Sequence, residues 1–199
     1  GRKGRSVEDL KESVVSESPE SDPDAALAAH AESLKDQYGV TIHLEPPALP
    51  YADVSLENSP GLGPSDAPVT VVEFSDYLCP ACRKAHAISR TIRETYEGKI
   101  RWVFKDFPLH EEAGALAAAA RCAGDQGRFW AFQDQLFESD GKPDGEALKS
   151  YAAELNLDLD AFNRCLEKDA HRGQVEADME EAKAAGVRAT PSFIINGRL

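Results

Sequence analysis

The chain has 199 residues, 42% of them hydrophobic and 8% aromatic, which is enough for one domain with a sizeable core and an additional arm. Its 35 acidic and 22 basic residues give a formal net charge of −13, and a field of that sign repels phosphate backbones, so no nucleic acid is expected as a partner. No stretch approaches the roughly 18 consecutive apolar residues that a membrane span needs.

Residues 1–65 are interpreted as an acidic N-terminal arm with a proline-rich linker. Residues 1–24 are polar and predicted to be weakly ordered, whereas 24–38 are predicted to form one short helix. The prolines of 45–68 predict an extended linker. The first residue is Gly and no signal-peptide pattern follows it, so we expect any leader or upstream anchor to have been cleaved or left out.

Residues 66–199 are predicted to form the main domain. A β-branched run at 69–74 predicts a buried strand, a helix is predicted from Cys79 to about Tyr96, and 100–104 predicts the next strand. A strand–helix–strand unit of this kind favours parallel strands with a right-handed crossover. Four side chains of this helix are expected to face the core: Ala81, Ala85, Ile88 and Ile92.

The second half of the main domain has a helical pattern over about 111–186, which predicts four or five inserted helices. His110 is expected in a loop near the start of this insert. A strand is predicted to return at 192–195, and Asn196-Gly197 is a strong signal for a two-residue hairpin turn.

Cys79-Pro80-Ala81-Cys82 lies where the first strand passes into a helix, and this position suits a redox dithiol. The first sulfur would lie at the helix N-terminus, where free N–H groups and the helix dipole favour a thiolate. We therefore interpret Cys79 as the nucleophile and Cys82 as the resolving thiol, with Pro80 tolerated in the first turn. A structural zinc site is the alternative, but the chain lacks a second close ligand pair, so no metal is expected.

Two further features surround this motif, and each has two interpretations. Glu73 lies inside the apolar strand, either as a buried acid that relays protons to Cys82 or as a solvated residue on a half-exposed strand. Thr190-Pro191 precedes the last strand, either with a cis peptide bond beside Cys79 or as an ordinary trans start of a strand. His86 is expected on the solvent face of the helix.

Taken together, residues 73–82 and 190–197 resemble the active-site segment and the cis-proline segment of DsbA-like thiol–disulfide oxidoreductases. The resemblance covers roughly 66–199 and implies an α/β thioredoxin fold with a helical insertion. It also implies disulfide exchange with secreted or periplasmic protein substrates and a buried acidic role for Glu73. Thr190 and Pro191 would then face the substrate.

The chain also departs from the family pattern. A strongly oxidising DsbA has His at the position of Ala81, so Pro80 and Ala81 imply different redox tuning. Thr190 resembles the isomerase branch of the superfamily more than DsbA. The C-terminal strand and helix of the family are missing after Leu199, so we expect a truncated chain or an unseen tail.

Cys122 and Cys165 each lie on a predicted helix of the insert. Since some DsbA-like proteins carry a second cysteine pair, we expect a structural disulfide between them. Two free, buried cysteines that act as small hydrophobic residues are the alternative.

The resemblance further implies an extracytoplasmic location, with an upstream membrane anchor as one arrangement, and a membrane redox partner of the DsbB or vitamin K epoxide reductase type. No cofactor is expected. Related proteins of the ScsC kind oligomerise through N-terminal extensions, so homo-oligomerisation through the arm is a hypothesis. The rival functions are disulfide isomerase or reductase, and a Cu(I)-binding or chaperone protein on the same fold.

Overall fold

The structure is a computed structural model that describes residues 23–39, 51–139 and 141–199. The chain divides into two compact units after Ala48, so helix α1 (Pro23–Tyr38) is described by itself. This helix matches the one predicted in the arm, and its Leu34 and Tyr38 side chains are exposed. Residues 1–22 and the first part of the predicted linker, 40–50, lie outside the described residues.

Among the described residues, four strands form one mixed sheet in the order β1-β3-β2-β4. The strands are β1 (Gly61–Leu62), β2 (Val69–Ser75), β3 (Ile100–Asp106) and β4 (Ser192–Ile195). The two central strands, β2 and β3, are parallel as predicted, and both edge strands are antiparallel to their neighbours. After β4, Asn196 and Gly197 have positive φ angles of 47° and 78° and form the predicted two-residue turn.

Helix α2 connects the parallel strands, and five more helices lie between β3 and β4. Their bounds are α2 (Pro80–Thr95), α3 (Ala113–Gly124), α4 (Phe129–Glu138), α5 (Gly145–Glu154), α6 (Leu159–Glu167) and α7 (Arg172–Ala184). The α/β class of the fold and the presence of a helical insertion are therefore both confirmed. In the part of the chain that the structure describes, no helix combines the length and the apolar character needed to cross a bilayer.

The two faces of the sheet carry different cores because side chains alternate along β2. Val72 and Phe74 pack with Val103 and Ile194 on the face covered by α7. The opposite face is covered by the larger core of the inserted helices, in which Phe104 packs with both active-site cysteines. Glu73 points to this second side, so the only acid within β2 faces the helices.

The compact domain begins earlier than the predicted boundary at residue 66. Residues 51–62 pack against the sheet instead of forming a free linker, and Gly61 of β1 pairs with Val103. The Ala52 N–H donates to the Gly197 carbonyl at 2.7 Å, and the Phe104 N–H donates to the Pro60 carbonyl at 2.9 Å. The proline content suggested a linker, but prolines are compatible with an edge strand, where one side of the backbone needs no partner.

A buried network of charged side chains joins β3 to α3 and α7. The Arg121 Nε donates to Asp106 Oδ2 at 2.5 Å, and its guanidinium also pairs with Asp178. Lys105 Nζ lies 3.1 Å from Asp178 Oδ1 and 2.7 Å from Glu181 Oε2. Because buried charges are costly unless they are paired, these contacts fix the positions of two helices relative to β3.

Replacing Arg121 with Met is expected to lower the free energy of unfolding by about 3–5 kcal/mol, because it leaves buried carboxylates without their partner. Urea unfolding of the oxidised protein measures this change. Arg172→Met is the matched control, since the Arg172 side chain is 69% exposed and its ion pairs are screened by water. Equal effects of the two substitutions would contradict a structural role for the network.

Candidate active site

The dithiol lies at the junction between β2 and α2. Cys79 is the N-cap of α2 with φ −76° and ψ 121°, and Pro80 occupies the first helical turn. The chain thus passes from extended to helical geometry at Cys79. Its sulfur lies beside N–H groups that have no partner within the helix, as the sequence predicts.

Helix α2 presents a different face to the core from the one predicted. Cys82 and Ser89 are buried, whereas Ile88 is 63% exposed and Ala81 lies on the surface. The prediction placed aliphatic residues inside, but burial of the second cysteine sets the rotation of the helix. The same rotation buries His86, which was expected in solvent and which stacks on Phe137 at 4.8 Å between ring centroids.

Cys79 is the more accessible of the two thiols, with 9% of its surface exposed. Burial opposes its ionisation, but hydrogen bonds from the Thr190 side chain and from the N–H groups of Cys82 and Ala81 outweigh this effect. The pKa of Cys79 is therefore lowered from its ordinary value of 9.0. A lowered thiol pKa is the property expected of an attacking or leaving sulfur in disulfide exchange.

Cys82 has the opposite environment. It is completely buried, and this burial raises the pKa of its thiol to about 11 despite hydrogen bonds from Ser75 and the Asp76 backbone. Both cysteines are free thiols in the structure. Two thiols separated by two residues are thus made chemically unequal by their depth in the protein.

The segment before β4 lies against Cys79. The Thr190–Pro191 peptide bond is cis, and Cys79 Sγ is 3.4 Å from the Thr190 carbonyl oxygen. The sequence left the isomer of this bond open. The structure brings Thr190 and Pro191 to the nucleophilic sulfur from a distance of 111 residues in the chain.

Glu73 is buried, so the solvated alternative does not apply. Its Oε2 accepts a hydrogen bond from Trp102 Nε1 at 2.9 Å. Burial raises the pKa of Glu73 from its ordinary value of 4.5, and the Trp102 bond and the charges of Arg93 and His86 offset this in part. The carboxyl group is thus kept closer to its protonated form than a surface glutamate.

Ser75 lies between the buried acid and the buried thiol. Its hydroxyl lowers the pKa of Glu73 and also that of Cys82. The hydroxyl oxygen is buried and has no hydrogen-bond partner among the described residues. Because a hydroxyl rotates freely, a small shift would complete a hydrogen bond to either group. Sequence reasoning missed this residue because a serine at the end of a strand is common.

A surface cleft approaches Glu73 from the other side. The Arg93 guanidinium lies over the Trp102 and Trp130 rings, at 5.8 and 4.9 Å from their centroids. These residues and Asp134 border a cleft of about 580 Å³. Trp102 thus both borders this cleft and donates its hydrogen bond to the Glu73 carboxylate.

Asp76 and His110 were not predicted as site residues. Asp76 is fully buried, and its Oδ1 accepts a hydrogen bond from the Leu78 N–H at 2.7 Å. Its Oδ2 accepts from the N–H groups of Leu109 and His110, and it lies 2.8 Å from His110 Nδ1. An aspartate two residues before a turn N–H is a local signal that the sequence does contain, but its partners in the loop after β3 are not visible there.

The other two cysteines lie away from the dithiol and form a disulfide. The Cys122–Cys165 bond joins α3 to α6 and closes a loop over a separation of 43 residues. A loop of that length corresponds to roughly 4 kcal/mol of stabilisation in the chain-entropy model. His171 lies close enough to both sulfurs for a metal-ligand group, but these sulfurs are bonded to each other.

Comparisons with known proteins identify the family to which this chain belongs. The thioredoxin family model matches residues 55–199. The chain is 34% identical over 152 residues to a probable disulfide bond formation protein D of Bacillus anthracis, covering 69% of this chain and 70% of that protein. It is 39% identical over 139 residues to the Na(+)/H(+) antiporter NhaA 1 of Salinispora arenicola, covering 68% of this chain but only 21% of the antiporter.

Among solved structures, oxidised BdbD from Bacillus subtilis superposes with a TM-score of 0.67 at 28% identity, covering 75% of this chain and 88% of BdbD. The chain belongs to the DsbA-like thiol–disulfide oxidoreductase family of thioredoxin-fold proteins. It spans about a fifth of the length of the antiporters that it also matches.

In the reduced protein, we expect one thiolate to form with an apparent pKa below 9.0 and the second to form with an apparent pKa of about 11. Titration of the thiolate absorbance measures both steps. Cys79→Ser should remove the first step, and Cys82→Ser should retain it. Persistence of the first step in Cys79→Ser would show that the accessible thiol has been assigned to the wrong residue.

Proposed function

We propose that this domain is a protein thiol–disulfide oxidoreductase with its redox centre at Cys79 and Cys82. The observation that carries the proposal is the inequality of the two thiols: the accessible one has a lowered pKa, and the buried one has a raised pKa. This inequality supports one thiol that exchanges with substrate and one that only resolves.

The exchange proceeds in two steps. A substrate thiolate attacks Cys79 Sγ of the oxidised pair, a substrate–Cys79 disulfide forms, and Cys82 leaves as a thiolate that takes up a proton. A second thiol of the substrate then attacks the substrate sulfur that is bonded to Cys79. The substrate disulfide forms, and the Cys79 thiolate is released. Two electrons pass to the domain, and the substrate gains one disulfide. Attack falls on Cys79 because Cys82 is completely buried.

Glu73 is proposed to supply the proton that Cys82 needs. The pKa of Cys82, about 11, shows that a buried Cys82 thiolate is unfavourable, so its departure requires a proton source. Glu73 has a raised pKa, and the Ser75 hydroxyl lies near both groups. A proton passes from Glu73 through Ser75 to Cys82 and returns by the same route when Cys82 attacks. The cleft bordered by Arg93 and by Trp102, the hydrogen-bond donor to Glu73, is the proposed route of proton exchange between Glu73 and water.

The substrates are proposed to be secreted or periplasmic proteins with thiols or disulfides, bound in extended form against Thr190 and Pro191. The Cys122–Cys165 disulfide favours an oxidising, extracytoplasmic location. Regeneration of the oxidised pair would then be the task of a membrane partner of the DsbB or vitamin K epoxide reductase type. Oligomerisation through the arm that contains α1 remains a proposal.

Isomerase activity is the second candidate. It is favoured by Thr190, because the hydrogen bond from its side chain stabilises the Cys79 thiolate, the species that attacks an incorrect disulfide. Refolding of a scrambled disulfide substrate without added oxidant separates this activity from simple oxidation. Recovery of native substrate by the reduced domain would favour isomerase.

Cys79→Ser is expected to abolish turnover of a reduced, unfolded protein substrate, since the accessible sulfur is lost. With a substrate that contains a disulfide, Cys82→Ala is expected to accumulate a mixed disulfide, because the Cys79 thiolate attacks the substrate disulfide and resolution by the buried thiol is prevented. Non-reducing electrophoresis and mass spectrometry detect this species. The double substitution Cys122→Ala/Cys165→Ala should retain turnover, and undiminished activity in Cys79→Ser would overturn the proposal.

Glu73→Gln is expected to slow the steps that involve Cys82 by about tenfold or more, because a relaying group is lost. The readout is the rate of mixed-disulfide resolution in stopped flow. Glu176→Gln is the matched control, since that side chain is 59% exposed on α7. Unchanged resolution in Glu73→Gln would contradict the relay.

The same variant tests the burial of Glu73 through stability. Because the folded pKa is raised above 4.5, Glu73 stabilises the fold at low pH and loses this contribution as pH rises through its folded pKa. Glu73→Gln should therefore gain stability relative to the wild type as pH rises above 4.5, until the folded pKa of Glu73 has been passed. A pH-independent difference would show that Glu73 does not retain its proton.

A further inference from the structure

His110 is tied to the active-site turn by a single buried residue. Asp76 accepts from the His110 backbone N–H at 2.9 Å, and its Oδ2 lies 2.8 Å from His110 Nδ1. The other carboxylate oxygen of Asp76 holds the Leu78 N–H, and its backbone carbonyl accepts from the Cys79 N–H at 3.1 Å. Asp76 thus fixes the imidazole beside the turn that carries the nucleophile.

The contacts of His110 favour its charged form. With Nδ1 donating to Asp76, the second proton is added at Nε2, and the ring is half exposed. The pKa of His110 is raised from its ordinary 6.5 by the Asp76 hydrogen bond, then by the Asp76 charge, and also by the Cys79 thiolate. Coupling free energies are reciprocal, so an imidazolium that is favoured by the thiolate favours the thiolate equally.

The Cys79–Cys82 motif itself contains no cation that could perform this task. Pro80 and Ala81 carry no charge, and Arg83, the next cation of α2, donates to the Ser139 and Gly141 carbonyls. Around His110, the neighbouring Glu111 and Glu112 are exposed in the same loop, and Glu112 pairs with Lys142. From the β2–α2 turn and α2, the facing titratable groups are Asp76 and Cys79.

We propose that His110 is a positioning residue for the redox centre: held by Asp76, its imidazolium stabilises the Cys79 thiolate and makes the dithiol more oxidising. The half-reaction is disulfide plus two electrons and one proton to Cys79 thiolate and Cys82 thiol. The imidazolium keeps its proton throughout. The inference rests on Cys79 being the reactive thiol of the proposed function.

The effect is expected to be moderate. The hydrogen bonds from Thr190 and the α2 N–H groups are the main interactions that lower the pKa of Cys79. Water also screens the charge of a half-exposed imidazole ring. His110→Gln should make the domain about two- to fivefold less oxidising against glutathione at about pH 6, or roughly 10–20 mV at about 30 mV per tenfold change. The pKa of the Cys79 thiol should rise in parallel.

The pH dependence gives the sign of the effect. The difference between His110→Gln and the wild type should be largest where the imidazole is charged and should vanish as pH rises through the His110 pKa, which lies above 6.5. His171→Gln is the matched control, since His171 also pairs with an aspartate, Asp125 at 2.8 Å, but beside the second disulfide. His110→Lys restores a positive charge and should recover most of the lost oxidising power.

Thiolate titration and glutathione equilibria of these variants test the inference. A His110→Gln protein with the wild-type thiol pKa and equilibrium both below and above the His110 pKa would overturn it. Equal shifts in His110→Gln and His110→Lys would also overturn it, because they would indicate a structural role. Failure of the proposed function is distinguishable, since it would appear as a thiolate transition that persists in Cys79→Ser.

Discussion

The buried carboxylate of Asp76 is the constraint on which the site depends. A charge that is removed from water is tolerated only when its oxygens are occupied, and Asp76 achieves this with donors from two parts of the chain. One oxygen holds the turn that leads into α2, and the other holds the loop that follows β3. The two parallel strands therefore end at a common anchor, and the start of the helix is fixed relative to both.

From this anchor the dithiol acquires its asymmetry. Because α2 begins at Pro80, Cys79 lies at the mouth of the helix and Cys82 lies one turn deeper against the sheet. At the helix N-terminus, free N–H groups stabilise the Cys79 thiolate. In the interior, Cys82 has no water to solvate a thiolate. A difference of one helical turn thus separates the two pKa values in opposite directions.

A second group of buried charges, around Arg121 and Asp178, holds α3 and α7 on β3. Glu73 lies on the neighbouring strand β2, in register with Phe104 of β3. Glu73 retains its place because Trp102 supplies a hydrogen bond within the apolar layer. The sheet therefore carries both a buried ion-pair network that fixes two helices and a buried acid in the strand that leads to the dithiol.

Local patterns were sufficient for the order of the elements. The β-branched run predicted β2, and Asn196-Gly197 predicted the turn after β4. The two cysteines at a strand–helix junction predicted the redox motif. The rotation of α2 was predicted wrongly, because aliphatic residues such as Ile88 were assumed to face inward. The domain start was placed too late, because prolines were interpreted as a linker. Both errors arise where a contact distant in the chain outweighs the local signal.

The amino-acid sequence by itself determined the chemistry that is available: a dithiol at a helix start, an acid in the strand before it, and a Thr-Pro pair ahead of the last strand. Only the tertiary structure decided that Glu73 is buried, that Thr190 reaches Cys79, and that Asp76 draws His110 to the turn. The physical reason is that burial and hydrogen bonding depend on residues brought together from separations of 34 to 111 positions, which spacing along the chain does not encode.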